Sequence, residues 1–282
     1  MRILVFGQTG QVAHELQRQA KVTALSRAQA DLSVPGVCAE AIAQFDGELV
    51  INAAAYTAVD RAESDEALAQ RINGDAPGEM ARACADLGIP FLHVSTDYVF
   101  DGSGKRARAE SGKVNPINVY GRTKLAGEKA VRKAGGKTAV LRTSWVFSSH
   151  GANFVKTMLR LAETRSALTV VDDQIGGPTP AADIASALLS MGRAMAGGHP
   201  GGLYHYSGAP AASWADFARE IFAQSGQDVA VTGIPSSDYP TPAARPLNSR
   251  LDCRKLTEDF GIAPPDWRAG LTRVLDELGV MA

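Results

Sequence analysis

The sequence predicts an α/β protein with a doubly wound parallel sheet and a smaller C-terminal α/β portion. Short apolar runs, typical of strands buried on both faces, alternate with helix-forming segments through the first half of the chain. The first apolar run ends in a glycine turn that leads straight into a helix, as expected where such a sheet begins. We place one domain at residues 1–145 and a mainly substrate-binding portion, packed on it, at residues 146–282.

The first strand is predicted at residues 2–6, and a helix follows the glycine turn. Strand, glycine turn and helix together form the setting of a dinucleotide-phosphate site in a Rossmann-type sheet. Gly7 permits the tight turn, Gly10 lets the backbone approach a pyrophosphate, and the helix N-terminus supplies amide donors. Ala13 stands where a third glycine is common. The predicted phosphate-binding residues are Gly7, Gln8, Thr9, Gly10, Gln11 and Val12.

The second strand, at residues 21–25, ends without an acidic residue. An acid at this point favours NAD, whereas an arginine favours the 2′-phosphate of NADP. Arg27 follows directly, so we expect NADPH, with NADH as the alternative. Arg27 could equally be a solvated turn residue. Asp31 and Leu32 come next, where they would meet the adenine, and Ser33 is expected to cap a helix.

Further strands are predicted at residues 48–52, 91–95 and 137–142. The third strand runs into Ala53, Ala54 and Ala55, small residues that permit close approach of a ligand. The fourth strand delivers Thr96 and Asp97 at its carboxyl end. Ligands of open parallel sheets bind outside these ends, so we expect both segments to line the cleft.

The fifth strand is preceded by a helix that we expect to carry the chemistry. Pro116 prevents an earlier start, and Tyr120 and Lys124, four residues apart, share one face. A free tyrosine titrates near pH ~10, and a fixed cation beside it should lower that pKa. The alternative is that Tyr120 is merely half-buried and Lys124 pairs with Glu128.

After Trp145 the alternation loosens. Helices are predicted at residues 153–163, 181–195 and after Ser213, with strands at 168–171 and 202–206, and further helices close the chain after a proline-rich connection at 239–250. Asp172 and Asp173 lie in a turn-rich segment, where adjacent carboxylates are more often solvated or capping than metal-bound.

Composition excludes several classes of protein. Hydrophobic residues make up 45% of the 282, and 29 basic residues nearly balance 30 acidic ones, so bulk charge favours neither nucleic acid nor a membrane surface. Three scattered cysteines argue for a reducing compartment and against a disulfide frame or zinc site. The N-terminal apolar run is too short for a signal peptide. We expect a cytoplasmic protein.

Four motifs in order resemble those of the extended short-chain dehydrogenases/reductases: Gly7-x-x-Gly10-x-x-Ala13, Asn52-Ala-Ala-Ala55, Ser95-Thr96-Asp97 and Tyr120-x-x-x-Lys124. The longer segments 52–63, 95–102, 142–146, 173–179 and 245–251 are similar to those of the dTDP-4-dehydrorhamnose reductase family. This resemblance extends from Met1 to beyond Trp267. It implies NADPH-linked reduction of dTDP-4-dehydro-L-rhamnose to dTDP-L-rhamnose, the last step in making that nucleotide sugar.

The resemblance also implies roles for individual residues. Tyr120 would give a proton to the oxygen at C4 of the keto-sugar, and Lys124 would bias Tyr120 and hold the nicotinamide ribose. Thr96 would donate a hydrogen bond to the same oxygen. The implied substrate-binding residues are Thr96, Asp97, Trp145, Arg245 and Asn248.

Two of these residues have ordinary alternatives. Trp145 would offer a flat apolar wall to the substrate, but it could equally be packed in the core. Arg245 offers a planar fork of donors suited to a diphosphate, although a surface ion pair is the common fate of a lone arginine.

Some members of the family bind magnesium between subunits through glutamates. Glu15 matches one such position, but Ala182 stands where a second carboxylate would be expected. Mg²⁺, and a homodimer built through it, are therefore in doubt for this chain.

Three rival functions stay open. The first is a nucleotide-sugar dehydratase or epimerase on the same fold, although Tyr98 follows Asp97 where a dehydratase would carry a second acid. The second is a non-catalytic NADP-binding regulatory subunit, which would not need Thr96, Tyr120 and Lys124 together. The third is a reductase of an unrelated ketone.

Overall fold

The structure, a computed structural model, describes all of residues 1–282. Its centre is a six-stranded, wholly parallel sheet. The strands of the chain are β1 Ile3–Phe6, β2 Val22–Leu25, β3 Leu49–Asn52, β4 Phe91–Thr96, β5 Thr138–Thr143, β6 Val146–Phe147, β7 Ala167–Val171, β8 Ile175–Gly176, β9 Thr179–Pro180, β10 Gly201–His205, β11 Ala212–Ser213 and β12 Ala230–Ile234.

Eleven α-helices connect and cover these strands: α1 Gln11–Gln19, α2 Val37–Ala43, α3 Val59–Ala62, α4 Glu66–Gln70, α5 Ala76–Asp86, α6 Val119–Ala134, α7 Phe154–Ala162, α8 Ala181–Ala196, α9 Trp214–Gln224, α10 Arg254–Phe260 and α11 Trp267–Leu278. A π-helical turn, Arg71–Asp75, joins α4 to α5, and 3₁₀ turns occupy Asp97–Val99 and Ser236–Asp238. None of the helices is both long and apolar enough to span a bilayer.

The order of strands in the central sheet is β10-β5-β4-β3-β1-β2. The chain leaves β1 to one side to form β2 and then crosses over to form β3 on the other side, so the order reverses at β1 and β3. In open α/β sheets a crevice opens at the carboxyl ends of strands where the order reverses. The doubly wound parallel sheet predicted from the sequence is confirmed.

Helices cover both faces of this sheet. On one face α1, α8 and α10 enclose a core built around β1, β3 and β5. On the other face α2, α5 and α6 enclose a second core that includes Phe6, Phe91 and Val140. A third core lies in the C-terminal portion, where Phe147, Phe217 and Trp267 pack together.

The C-terminal portion contributes to the central sheet as well as to the cleft. β10 pairs in parallel with β5, and α8 packs against α1. The sheet therefore extends across the predicted boundary at residue 145. β7 and β12 form a separate parallel pair beyond it.

The helix expected to begin at Ser33 starts later, at Val37 with Gly36 as its N-cap. Ser33 donates its hydroxyl to Asp31 Oδ1 at 2.7 Å instead of capping a helix. Strand β12 was not predicted, because its short sequence carries no clear alternation of apolar and polar residues.

Candidate active site

The glycine turn after β1 forms the floor of the cleft. Gly7 has φ +104°, a conformation that favours glycine, and an added Cβ would lie only 3.4 Å from the backbone nitrogen of Ala54. An added Cβ at Gly10 would meet no atom within 4 Å, so the backbone there faces open space at the start of α1. The first amides of a helix have no partners within it. This cradle fits a dinucleotide pyrophosphate.

The other predicted phosphate-binding residues divide by exposure. Gln8 and Thr9 are exposed, whereas the Val12 side chain is buried in the core and leaves only its backbone for a ligand. The Gln11 side chain is engaged with the C-terminal portion: its Oε1 accepts from Ser148 Oγ at 2.9 Å and from Asn153 Nδ2 at 3.0 Å.

At the end of β2, Arg27 is exposed and its Nε lies 3.0 Å from Asp31 Oδ2. Hydrogen bonds from Ser33, with a further one from Arg27, lower the pKa of Asp31 to about 2. Leu32 is buried beside Ala30. The three alanines at residues 53–55 are half-buried at the carboxyl end of β3, beside the glycine turn.

Thr96 and Asp97 lie at the carboxyl end of β4. Both side chains are buried, and Thr96 Oγ1 donates to Asp97 Oδ1 at 3.1 Å. Burial raises the pKa of Asp97 to about 6, against the opposing influence of the Ser249 and Thr96 hydroxyls. Its other oxygen, Oδ2, is buried without a hydrogen-bond partner within the chain, which is unusual for a native protein.

Helix α6 presents Tyr120 beside this strand end. Asn118 caps the helix by accepting from Gly121 N at 2.7 Å, and its amide donates to Ala244 O at 2.8 Å. Gly121 permits the close approach, since an added Cβ would collide with the carbonyl oxygen of Tyr98. The Tyr98 and Tyr120 rings meet edge to face, 5.7 Å between centroids.

The electrostatic setting of Tyr120 differs from the one expected. Burial raises the pKa of Tyr120 to about 12, and the nearby Thr96 hydroxyl lowers it only in part. The expectation that Lys124 brings this pKa below its usual value was wrong for the chain by itself. The Lys124 ammonium is turned to the sheet, where its Nζ donates to Val94 O at 2.7 Å.

The alternative pairing of Lys124 with Glu128 is not what the structure shows. Glu128 Oε2 accepts from Arg142 Nη2 at 2.6 Å, and Ser95 Oγ donates to Glu128 Oε1, also at 2.6 Å. Arg142 is 1% exposed and Glu128 0%. This buried pair ties α6 to β5 beneath the site.

Trp145, Arg245 and Asn248, which were predicted to bind substrate, each contact a neighbouring segment of the chain. Trp145 adopts φ +48° and stacks on Trp214 with centroids 3.6 Å apart, so it has a packing role, and the flat wall for a substrate stays a prediction. Arg245 Nη2 donates to Asp60 Oδ2 at 2.7 Å. Asn248 is buried, with Nδ2 donating to Arg106 O at 2.8 Å and Oδ1 accepting from Arg250 Nη1 at 3.0 Å. Its side chain fixes the loop.

The residues around Glu15 do not fit a magnesium site. Glu15, His150 and Glu277 bring ligand atoms within 4.8 Å of one another. However, Arg18 Nη1 lies among them, 3.0 Å from Glu15 Oε1 and 2.8 Å from Glu277 Oε1. The Arg18 guanidinium therefore already neutralises the two carboxylates within one chain. Ala182 lines the same cavity and offers no ligand atom.

Sequence reasoning missed several residues that shape the site. Asn73, in the π-helical turn, accepts from Tyr56 N at 2.8 Å and holds the loop after β3. π-Helical turns often occur at functional sites, but no sequence signal marked this one. Asn118, directly before the helix, carried a detectable N-cap signal.

A dinucleotide cradle at the reversal point, with Thr96, Tyr120 and Lys124 beside it, defines an oxidoreductase of the short-chain dehydrogenase/reductase class. The family described as RmlD substrate binding domain matches residues 1–280. A dTDP-4-dehydrorhamnose reductase of Sinorhizobium fredii is 43% identical over 98% of this chain and 97% of its own. The chain belongs to the dTDP-4-dehydrorhamnose reductase family.

Two solved structures agree with this placement. The dTDP-4-dehydrorhamnose reductase of Clostridium acetobutylicum superimposes with a TM-score of 0.94 at 36% identity, covering 99% of this chain and 100% of that one. The Bacillus anthracis enzyme, solved in complex with NADP, gives 0.91 at 33% identity over 98% and 99%.

Proposed function

We propose that this chain is an NADPH-dependent reductase that converts dTDP-4-dehydro-L-rhamnose to dTDP-L-rhamnose. One observation carries the proposal: β4 ends in Thr96, α6 begins with Tyr120 in its first turn, and the Tyr98 and Tyr120 rings meet there with centroids 5.7 Å apart. Two hydroxyls thus converge at the carboxyl edge of the sheet, next to the glycine cradle. The names of the relatives supply the substrate class, and NADP in the Bacillus anthracis structure supports the cofactor.

Bound NADPH would supply hydride to the ketone carbon. We assign the matching proton to Tyr120. With a pKa of about 12, its phenol stays protonated throughout the physiological range, as a proton donor must before reaction.

Thr96 supports the oxygen that becomes negative as hydride arrives. Its hydroxyl currently donates to Asp97 Oδ1 at 3.1 Å, and rotation about one bond would turn it to the substrate oxygen. A hydroxyl donor aimed at a developing oxyanion lowers the barrier because its stabilisation grows with the charge. Lys124, on the same helix as Tyr120, would hold the nicotinamide ribose with an N–H that is not donated to Val94 O.

We assign the diphosphate of the substrate to Arg245. The Arg245 side chain is 19% exposed, and its partner Asp60 is 43% exposed and open to water. A diphosphate could therefore exchange with Asp60 at modest cost, since ion pairs at such exposure are weak. Trp145 would form the apolar wall, and Asp97 with its unpartnered Oδ2 would accept from a sugar hydroxyl. Asn248 would hold the Arg245 loop in place.

The cofactor preference is assigned to Arg27. Its guanidinium is 76% exposed at the end of β2 and held by Asp31. A 2′-phosphate would meet this cation, and no acidic side chain at the end of β2 would grip a 2′-hydroxyl instead. Three free, buried cysteines agree with a reducing, cytoplasmic setting.

The decisive experiment mixes purified protein with NADPH and dTDP-4-dehydro-L-rhamnose and follows NADPH absorbance, with identification of the product by NMR. We expect absorbance loss matched by dTDP-L-rhamnose, and no loss with Tyr120→Phe. Binding of NADPH without turnover would instead favour the regulatory-subunit alternative. Product formation without net NADPH consumption would favour an epimerase.

A further inference from the structure

A buried histidine that the proposed reaction does not use lies against Lys124. His93 is 0% exposed and Lys124 1%. His93 Nε2 lies 3.4 Å from Lys124 Nζ, and Lys124 Nζ also donates to Val94 O at 2.7 Å. The pKa of histidine is the one that most easily crosses neutral pH. Which nitrogen of His93 carries a proton therefore affects whether Lys124 is charged or neutral.

The hydrogen bonds of Asn52 settle which ring nitrogen of His93 carries the proton. Asn52 Oδ1 accepts from Ala54 N at 3.0 Å, which fixes the orientation of the amide. Asn52 Nδ2 then faces His93 Nδ1 at 3.1 Å. An amide nitrogen can only donate, so Nδ1 accepts, and a neutral ring must carry its proton on Nε2.

Two donors consequently face each other. An ammonium has three N–H groups and no lone pair, so a charged Lys124 cannot accept from His93 Nε2–H. A neutral amine can accept that hydrogen bond while still donating to Val94. The contact is thus complementary to the deprotonated form of Lys124 and opposed to its charged form.

The charges around Lys124 agree with this reading. Burial lowers the pKa of Lys124 to about 8, with Glu128 opposing. Glu128 is itself bound by Arg142 and Ser95, which weakens its pull. Burial, followed by the charge of Lys124, holds the pKa of His93 well below its usual value. Tyr120, one turn earlier on α6, is an uncharged phenol at neutral pH.

We propose that His93 is a positioning residue for Lys124. The Nε2–H of His93 stabilises the neutral amine of Lys124 and so sets the pH at which the lysine gives up its proton. The proposal rests on the proposed function, in which Tyr120 loses one proton per turnover. To replace that proton, the Lys124 side chain turns from Val94 O toward Tyr120, one helical turn away, and its ammonium gives one proton to the phenolate. This restores the phenol and leaves a neutral amine. His93 Nε2–H then donates to this amine until a solvent proton returns to it. One solvent proton is consumed, as reduction of a ketone requires.

Nitrogen NMR on protein with ¹⁵N-labelled histidine rings tests the proposal without cofactor or substrate. Five histidines are present, and loss of one signal pair in His93→Gln assigns His93. From about pH 6 to about pH 9 we expect a neutral ring protonated on Nε2. The Nε2 shift should titrate with a pKa of about 8 that reports Lys124, and this titration should vanish in Lys124→Met.

A second readout is the pH profile of kcat. In His93→Gln the amide oxygen can turn to the ammonium, so the alkaline limb should move up by about one pH unit, a tenfold change in proton affinity. NADPH affinity should stay within about twofold, well under the ~1.4 kcal/mol of a decade.

A proton on Nδ1, a charged ring at neutral pH, or an Nε2 shift indifferent to Lys124→Met would each overturn the proposal. So would an unmoved alkaline limb in a folded His93→Gln protein. The tautomer of the wild-type ring is read without any variant activity, so this result stands even if the assay for the proposed reductase fails.

Discussion

Two arginine–carboxylate pairs, one buried and one half-exposed, show how burial decides whether an ion pair is structural or can exchange its partner. Arg142 and Glu128 are 1% and 0% exposed, and their hydrogen bonds include a 2.6 Å contact. Arg245 and Asp60 are 19% and 43% exposed and meet at 2.7 Å. Distance alone does not distinguish them, whereas burial does.

The buried pair cannot exchange partners without leaving a charge in the core. It therefore belongs to the fixed part of the fold that holds α6 on β5, which we call the frame. The half-exposed pair is open to water, which can take over the carboxylate, and under the proposed function the substrate diphosphate takes over the guanidinium. Two hydrogen bonds hold the loop that carries Arg245. Asn118, the N-cap of α6, donates to Ala244 O, and Asn248 donates to Arg106 O. Frame substitutions should therefore act on stability, and cleft substitutions on kinetics.

The largest expected effect is on the cleft side. Tyr120→Phe should lower kcat by up to about 10⁴-fold, the upper range for one general acid, because the ring remains and only the proton donor is lost. Thermal stability and NADPH affinity should change little. Steady-state kinetics and fluorescence titration of NADPH measure these quantities.

The matched control is Tyr204→Phe, which removes the hydroxyl of a buried tyrosine that donates to Asp259 at 2.9 Å, away from the cleft. It should keep wild-type kcat. Near-normal turnover in Tyr120→Phe would remove Tyr120 from the mechanism.

The frame side is tested by Arg142→Met. Removal of one partner from a buried pair leaves Glu128 uncompensated and should cost about 3–5 kcal/mol in the free energy of unfolding. Urea denaturation measures this cost. The exposed pair of Arg219 and Asp216, 48% and 56% exposed, provides the control: Arg219→Met should cost no more than about 1 kcal/mol. Equal costs for the two variants would contradict the assignment of Arg142 to the frame.

A smaller cleft effect is expected from Thr96→Ala. Loss of one donor to a developing oxyanion lowers kcat by on the order of a hundredfold. Thr96→Ser, which keeps the hydroxyl, should retain most of the activity. A change confined to KM in Thr96→Ala would show that Thr96 only binds substrate.

The smallest effect is expected at Arg27, because its side chain is 76% exposed and screened by water. Arg27→Ala should reduce the NADPH/NADH ratio of kcat/KM by about tenfold, the low end for one charge-assisted hydrogen bond. Arg2→Ala, at an exposed arginine paired with Asp46, is the control. An unchanged ratio would mean that Arg27 does not read the phosphate.

Much of the fold was predictable because apolar runs and glycine turns define buried parallel strands locally. All six strands of the central sheet were predicted to within one residue at either end. The start of α2 was missed because Asp31 takes the Ser33 hydroxyl that would otherwise cap a helix. This hydrogen bond forms within a local turn, and the sequence carries no repeating pattern of residues that would predict it.

The helices and strands that carry the candidate site were predictable, but the electrostatic arrangement of its side chains was not. Tyr120 and Lys124 lie on one helix and Thr96 ends β4, as predicted, but Lys124 Nζ is turned to Val94 O at the sheet. The partner of Glu128 proved to be Arg142, from a neighbouring strand, instead of Lys124 one turn away. The pKa of Tyr120 depends on how deeply it is buried, which the packing of the whole chain decides.

The most direct test of the central claim, that this chain reduces a nucleotide 4-keto-sugar, follows a deuterium label. NADPH carrying deuterium at the transferred position is incubated with the protein and dTDP-4-dehydro-L-rhamnose, and the product is analysed by NMR and mass spectrometry. We predict dTDP-L-rhamnose with one deuterium, at C4 of the sugar. Deuterium at another carbon, or a converted sugar with none, would contradict the account.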